Sequence, residues 1–376
     1  MSVATLPGTE DHPQARMVLT TALAGSPSHA YLFHGPAGTG KSTAARAFAA
    51  ELLAEGSDDP DSVRHRVGTG THPDLTWVRP SGAHVMRVED VEGPVVSAAT
   101  RTPFEAARRV FVLERVDTMN DEVANRLLKT LEEPAHYVHL ILLTESVGRV
   151  LDTVVSRCQL VRFEPLPIAR IAAALEAEGV PPERALACAG LSLGNATRAR
   201  FLASGEGQYL RGEVEGFVAA ALRGGGPEPW RPLLERAERA RAAAEERAAE
   251  ERGERLELEP KGRERRALER DLEDAAKRDG RRARTGVLDL ALTLAELAFR
   301  DLVCVAEGAP EAVLAVDSPP DLAGDARARD ARRLREAAER CEQTRQSLEL
   351  NVTEELALSA LGFRLAALTG VPDQAP

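Results

Sequence analysis

The stretch "AYLFHGPAGTGKSTAARAFAAELL", residues 30–53, decides how the N-terminal part of this chain folds. It opens on a short apolar run, "AYLFHG" (30–35), which ends at the glycine loop and has the length of one buried strand. A glycine-rich loop follows, and then an Ala-rich segment, Thr43 to Leu53, of high helix propensity. The loop, Gly35-Pro36-Ala37-Gly38-Thr39-Gly40-Lys41-Ser42 with Thr43 behind it, satisfies the G-x-x-x-x-G-K-[ST] pattern. The strand before it and the helix after it are the context that gives this pattern meaning. Such a loop turns backbone N–H groups inward around phosphate oxygens, and the helix N-terminus adds partial positive charge there. Lys41 is placed to reach the β- and γ-phosphates, and the Ser42 hydroxyl to ligate Mg²⁺, so ATP with Mg²⁺ is the expected cofactor. A glycine turn holding no ligand is the plainer alternative.

Outward from the loop, four more apolar runs read as strands: 74–78, 109–114, 138–144 and 159–164. Apolar strands separated by helices imply a buried parallel sheet covered on both faces, an α/β core over residues 1–165. Gly93-Pro94 interrupts the helix before the third strand, where proline kinks a helix or marks its start. After "EPLP" (164–167) come short helices, broken at "EGVPPE" and "LSLGNAT", which read as a small helical domain over 166–205. Residues 206–376 are helical and charged. Within them 231–285 reads as a solvated helical pair turning at Glu259-Pro260-Lys261-Gly262. Its second arm, Lys261 to Arg284, carries ten Lys/Arg against six Asp/Glu, which leaves a nucleic-acid contact open beside the solvated reading. "VLDLALTLAELAFRDL" and "LELNVTEELALSALGFRLAAL" are apolar enough for packed bundle helices.

Composition narrows the class. Aromatics are 4% of the 376 residues, so the cores rest on Ala, Leu and Val. A net charge of −11 excludes a surface that coats nucleic acid indiscriminately, since phosphate contacts need Lys and Arg. The four cysteines, Cys158, Cys188, Cys304 and Cys341, are too widely spaced for a zinc knuckle and read as reduced thiols. The N-terminus lacks the basic start and apolar core of a signal peptide. No apolar run approaches the roughly 20 residues of a membrane span. A cytoplasmic protein is expected.

A hydrolysing P-loop enzyme needs an acidic pair at a neighbouring strand end. In "VFVLERVD" Glu114 stands at the metal-side position, but Arg115 takes the water-activating one. A guanidinium accepts no proton near neutral pH, so Arg115 is no base. Asp117 lies two residues further and helps only if the strand end bends. Glu114 and Asp117 also read as part of a helix start, with Asp117 or Asn120 as N-cap of "DEVANRLLKTLEE". Arg157, in "SRC" before the last strand, is a surface arginine or, in a ring of nucleotide-binding subunits, a finger for a neighbour's γ-phosphate.

"SHAYLFHGPAGTGKSTAARAFAAELL", "HPDLTWVRP", "ANRLLKTLEEP" and "SRCQLVRFEPLP" together closely resemble the delta-prime family of bacterial DNA polymerase III clamp-loader subunits. The resemblance implies an AAA+ core, a helical lid and an all-α C-terminal collar. The collar joins a five-subunit ring with delta and tau/gamma-type partners that loads the sliding clamp onto primed DNA. It implies a stator rather than a motor, with Arg157 as the arginine finger given in trans. By the same resemblance Thr144 falls where relatives sense the γ-phosphate, and Arg198 near the lid arginine of the motor subunits. Most relatives carry a four-cysteine zinc module before "HPD". Here "AEGSDDPDSVRHRVGTGT" has no cysteine, and His65 and His72 alone do not make a structural zinc site, so no zinc and a mobile linker are expected. Unlike many relatives, this chain keeps the phosphate loop intact. The competing readings are the ATP-hydrolysing motor of the same loader, a P-loop kinase, and a DNA-binding module built on the basic arm.

Overall fold

The computed structural model describes residues 6–81, 85–257, 263–317, 329–348 and 352–370. It divides into two compact units: Met1–Pro167 with Gly194–Ala196, and Ile168–Leu193 with Thr197–Pro376.

The first unit is built on β1 (Ala30–His34), β2 (Leu75–Val78), β3 (Arg109–Leu113), β4 (Val138–Thr144) and β5 (Gln159–Arg162). All pairings are parallel, in the order β2-β3-β4-β1-β5. The α/β fold expected from the apolar runs is the one observed, with the P-loop strand placed inside the sheet. Because side chains alternate across a strand, Tyr31 and Phe33 face α2 (Lys41–Ala54) while Leu32 faces the opposite layer. Phe48 of α2 is fully buried, with ring centroids 5.0 Å from Tyr31 and 6.4 Å from Phe33. The other layer is formed by α5 (Asp121–Glu132), whose Val123, Leu127 and Leu131 are buried against the sheet. Asn120 caps α5, its Oδ1 accepting from Val123 N at 3.0 Å. A first helix, α1 (Pro13–Ala24), and a short α6 (Asp152–Val155) complete the layers. At Gly93-Pro94 the short α4 (Val88–Val91) passes into a π-helical turn, Glu92–Ser97, which absorbs the proline's missing N–H.

The interval read as a mobile linker is instead a helix, α3 (Pro60–Thr69). Asp59 caps it through Ser62 N, proline sits at its first turn, and Gly70 ends it in the left-handed conformation at φ 73. Val63 and Val67, four residues apart, bury against the same core as Phe48. Charge density hid a two-residue apolar stripe that suffices to dock the helix. Next to it, the buried Asp74 of "HPD" accepts from the backbone of Phe104 at 2.6 Å, Glu105 at 2.9 Å and Ala106 at 3.0 Å, tying 104–106 to the strand. His65 is exposed on α3, whereas His72 is buried beside Glu105. Among the described residues no three His, Cys, Asp or Glu side chains converge in metal-binding geometry.

The second unit is helical. Three short helices, α7 (Ile168–Ala177), α8 (Pro182–Leu191) and α9 (Ala196–Ala203, whose first residue belongs to the first unit), are broken where the sequence places breaks. Then come α10 (Gly205–Leu222), α11 (Arg231–Glu257), α12 (Arg263–Ala306), α13 (Ala331–Leu348) and α14 (Glu354–Thr369). The turn expected at Glu259–Gly262 lies outside the described residues. Gly280 packs on Glu245 and Arg284 pairs with Glu238, a reversed order that makes α11 and α12 antiparallel. The apolar stretch "VLDLALTLAELAFRDL" is the second half of α12 rather than a separate helix, burying Leu288, Leu292 and Phe299. Several charges of the basic arm are paired, Lys277 with Glu273 at 2.8 Å and Arg284 with Glu354 at 2.5 Å. The buried Arg211 forks onto Asp317 at 2.5 and 2.9 Å.

Two outcomes test this packing. Hydrogen exchange should find the Val67 amide protected; exchange at the rate of free peptide contradicts a docked α3. For Asp74, burial favours the neutral acid, but the three backbone N–H groups and His72 outweigh it and hold the carboxyl below its ordinary 3.8. Its contribution is therefore complete above 3.8 and lost as pH falls through the lower folded value. Asp74→Asn should destabilise by about 2 kcal/mol at neutral pH in urea titrations, and the gap from wild type should close in acid.

Candidate functional site

The loop after β1 has the form of an anion cradle. Gly35, Gly38 and Gly40 take φ of 142, 69 and 92. A Cβ on Gly35 would meet the Phe163 carbonyl oxygen at 1.9 Å, and one on Gly38 would meet Asn195 Oδ1 at 1.7 Å. Glycine is thus required by neighbours as well as by torsion. Gly40 starts α2 without a side-chain cap, so the first-turn N–H groups lack intrahelical partners and point out of the helix end. Ser42 and Thr43 are exposed on that turn, and Thr39 is buried. Lys41 is 8% exposed, and its Nζ donates to the carbonyls of Gly35 at 2.5 Å and Pro36 at 2.6 Å. Burial pushes its pKa down, against the opposing charges of Glu145 and Asp117. His34 is lowered too, by burial and by Arg162 and Lys41, so the loop is flanked by cationic groups and a neutral-leaning imidazole. These residues fit the phosphates of a nucleotide, with Lys41 and the loop N–H groups as ligands and Ser42 as the hydroxyl that would meet its Mg²⁺.

Two distant segments complete the cradle, and the sequence carries no local signal for either. The buried His12 places Nε2 2.7 Å from the Thr39 carbonyl and its ring edge-on to Phe163 at 4.9 Å. Gly8 lies so close to the start of α2 that a Cβ there would meet Ala44 N at 2.6 Å. Asn195, from the glycine break between α8 and α9, covers Gly38.

At the ends of β3 and β4 the acids part company. Glu114 Oε1 accepts from Trp77 Nε1 at 2.6 Å and Arg79 Nε at 3.2 Å. Arg115 follows in the left-handed region at φ 55, leading into a 3₁₀ turn, Val116–Thr118. The strand end does bend, and it carries Asp117 to Thr144, whose Oγ1 donates to Asp117 Oδ1 at 2.8 Å. Thr144 is buried, paired in register with His34, and its carbonyl accepts Gly35 N–H at 3.3 Å. Thr144 therefore adjoins the loop directly.

Arg157 sits between α6 and β5 on the same unit. Its guanidinium donates to Glu132 Oε1 at 2.7 Å and to the Thr153 carbonyl at 2.9 Å, with its side chain 35% exposed. Glu132 belongs to the "LLKTLEEP" segment, so that segment fixes the pose of the "SRC" arginine. Burial pushes the neighbouring Cys158 thiol up to about 12, which makes it a packing residue rather than a nucleophile. Arg198 lies half-buried on α9, in the second unit.

Residues 12–167 match the family described as DNA polymerase III, delta subunit. The chain is 37% identical over 162 residues to DNA polymerase III subunit delta' of Bacillus subtilis, covering 42% of this chain and 49% of that one. Against the subunit delta' of Pseudomonas aeruginosa the identity is 39% over 169 residues, with the same coverage of 42% and 49%. DNA polymerase III subunit tau of Bacillus subtilis is 34% identical over 143 residues, 36% of this chain and 24% of that one. The chain thus spans about half the length of the delta' relatives it matches.

Gly38→Ala should destabilise by about 1–2 kcal/mol through the left-handed backbone alone, measured by chemical denaturation. Adding Asn195→Ala should recover only the part due to the Asn195 contact. An unchanged midpoint in the single variant contradicts the cradle geometry.

Proposed function

From the match of residues 12–167 to the family described as DNA polymerase III, delta subunit, we propose that this chain is a clamp-loader subunit of the delta-prime kind, a stator that holds ATP with Mg²⁺ and turns it over slowly or not at all. The observation that carries this reading is the pairing of a well-formed phosphate cradle with Arg115 where a water-activating acid belongs. A guanidinium has no acceptor for the water's proton. The cradle therefore binds, and its own hydrolysis lacks a base.

The chain's catalytic contribution lies at Arg157, given to the ATP of an adjacent tau/gamma-type subunit. Glu132 and the Thr153 carbonyl hold the guanidinium in one pose while leaving part of it exposed, and pre-ordering lowers the entropy lost when it meets a γ-phosphate. Thr144 and Asp117 complete the nucleotide surroundings in this reading. Helices α10 to α14 serve as the collar that joins this subunit to delta and tau/gamma-type partners in a five-subunit ring. The ring, not this chain, meets the sliding clamp and primed DNA. Among the described residues no helix is long and apolar enough to cross a membrane, and the cytoplasm, where replication proceeds in bacteria, is the proposed location.

In a loader reconstituted with this chain, Arg157→Ala should lower ATP turnover by about 10³-fold while the variant still assembles. Lys41→Ala should leave most of the turnover in place. Full turnover with Arg157→Ala contradicts the finger; collapse with Lys41→Ala points to a motor subunit.

A further inference from the structure

The carboxylate that the strand position singles out is not the one that adjoins the phosphate loop. Glu114 is drawn toward β2, the edge strand, by Trp77 at 2.6 Å and Arg79 at 3.2 Å. The left-handed turn at Arg115 and the 3₁₀ turn after it reverse the chain and carry Asp117 over the end of β4. From there a run of hydrogen bonds leads to the loop. Thr144 Oγ1 donates to Asp117 at 2.8 Å, Gly35 N–H to the Thr144 carbonyl at 3.3 Å, and Lys41 Nζ to the Gly35 carbonyl at 2.5 Å. The acids whose charge bears on Lys41 are Glu145 and Asp117.

We infer that Asp117, and not Glu114, is the carboxylate this chain presents to the Mg²⁺ of a nucleotide in the phosphate loop. The inference rests on the reading of the loop as a nucleotide site and adds to it the identity of the metal-side acid. Asp117 suits the role on three counts. An ionised carboxylate has about four lone-pair sites, so accepting from Thr144 leaves capacity for Mg²⁺ or its waters. Thr144, 1% exposed, fixes the orientation of the carboxylate. Mg²⁺ in phosphate sites takes only one or two protein carboxylates and keeps several waters, so a single well-placed acid is enough. Glu114, by contrast, has its Oε1 held on the β2 side by both an indole N–H and a guanidinium.

The test is titration of a fluorescent ATP analogue onto the full chain, in Mg²⁺ and in EDTA, for wild type, Asp117→Asn, Glu114→Gln and Lys41→Ala. Asparagine keeps an acceptor for Thr144, and circular dichroism checks folding. Mg²⁺ should tighten binding to wild type roughly tenfold or more. Asp117→Asn should lose that gain while matching wild type in EDTA, and Glu114→Gln should keep it. Binding by Asp117→Asn with the full Mg²⁺ gain, or loss of the gain in Glu114→Gln, overturns the inference and leaves the nucleotide site standing. A wild-type chain that binds in neither condition, or one indifferent to Lys41→Ala, overturns the nucleotide reading and the inference with it. If Asp117→Asn does not fold, Glu114→Gln still decides: a retained gain supports the inference and a lost one overturns it.

Discussion

The parallel pairing of β1 with β4 brings His34 opposite Thr144 and ends in one backbone hydrogen bond, from Gly35 N–H to the Thr144 carbonyl. On one side of that bond the chain turns into the phosphate loop, and on the other Thr144 holds Asp117. A parallel strand pair is buried on both faces and cannot slip by a residue without exchanging them. The apolar packing of Phe33, Tyr31 and Phe48 thus fixes the height of Thr144 against the loop. Placement of Thr144 against the loop, and of Asp117 through it, depends on that register.

A second constraint acts at Arg157. The α5 helix buries Leu127 and Leu131 on the sheet while presenting Glu132 to the arginine. The same helix packs the core and aims a surface cation. The two devices divide the chemistry in the proposed function: the loop holds a nucleotide, and the arginine acts beyond the edge of the chain. In that proposal Arg115 separates the two roles, because a guanidinium stands where a hydrolysing site would need a base.

Much of this was legible in the residues. Five strands, the P-loop and the helix breaks near 180 and 194 follow from apolar runs, glycine and proline placed at regular intervals, and the observed strands end within two residues of the apolar runs. The resemblance to delta-prime subunits, read from motifs, is met by similarity to such subunits over 42% of the chain. What escaped depended on contacts between distant segments or on an unusual torsion. The helix α3 looked like a linker because its apolar stripe is only Val63 and Val67 among charges. The swing of Asp117 follows from a non-glycine residue at positive φ, for which Arg115 gives no compositional hint. His12 and Asn195 reach the loop from 27 and more than 150 residues away, and neither type marks a phosphate site by itself.

The proposed function has the phosphate cradle bind ATP without a competent base. It is tested most directly by incubating the isolated full chain with radiolabelled ATP and Mg²⁺ and separating bound nucleotide from free phosphate over time. The expected result is ATP recovered intact from the protein, with binding lost in Lys41→Ala. Steady release of phosphate at a motor's rate, abolished by Lys41→Ala, would contradict it.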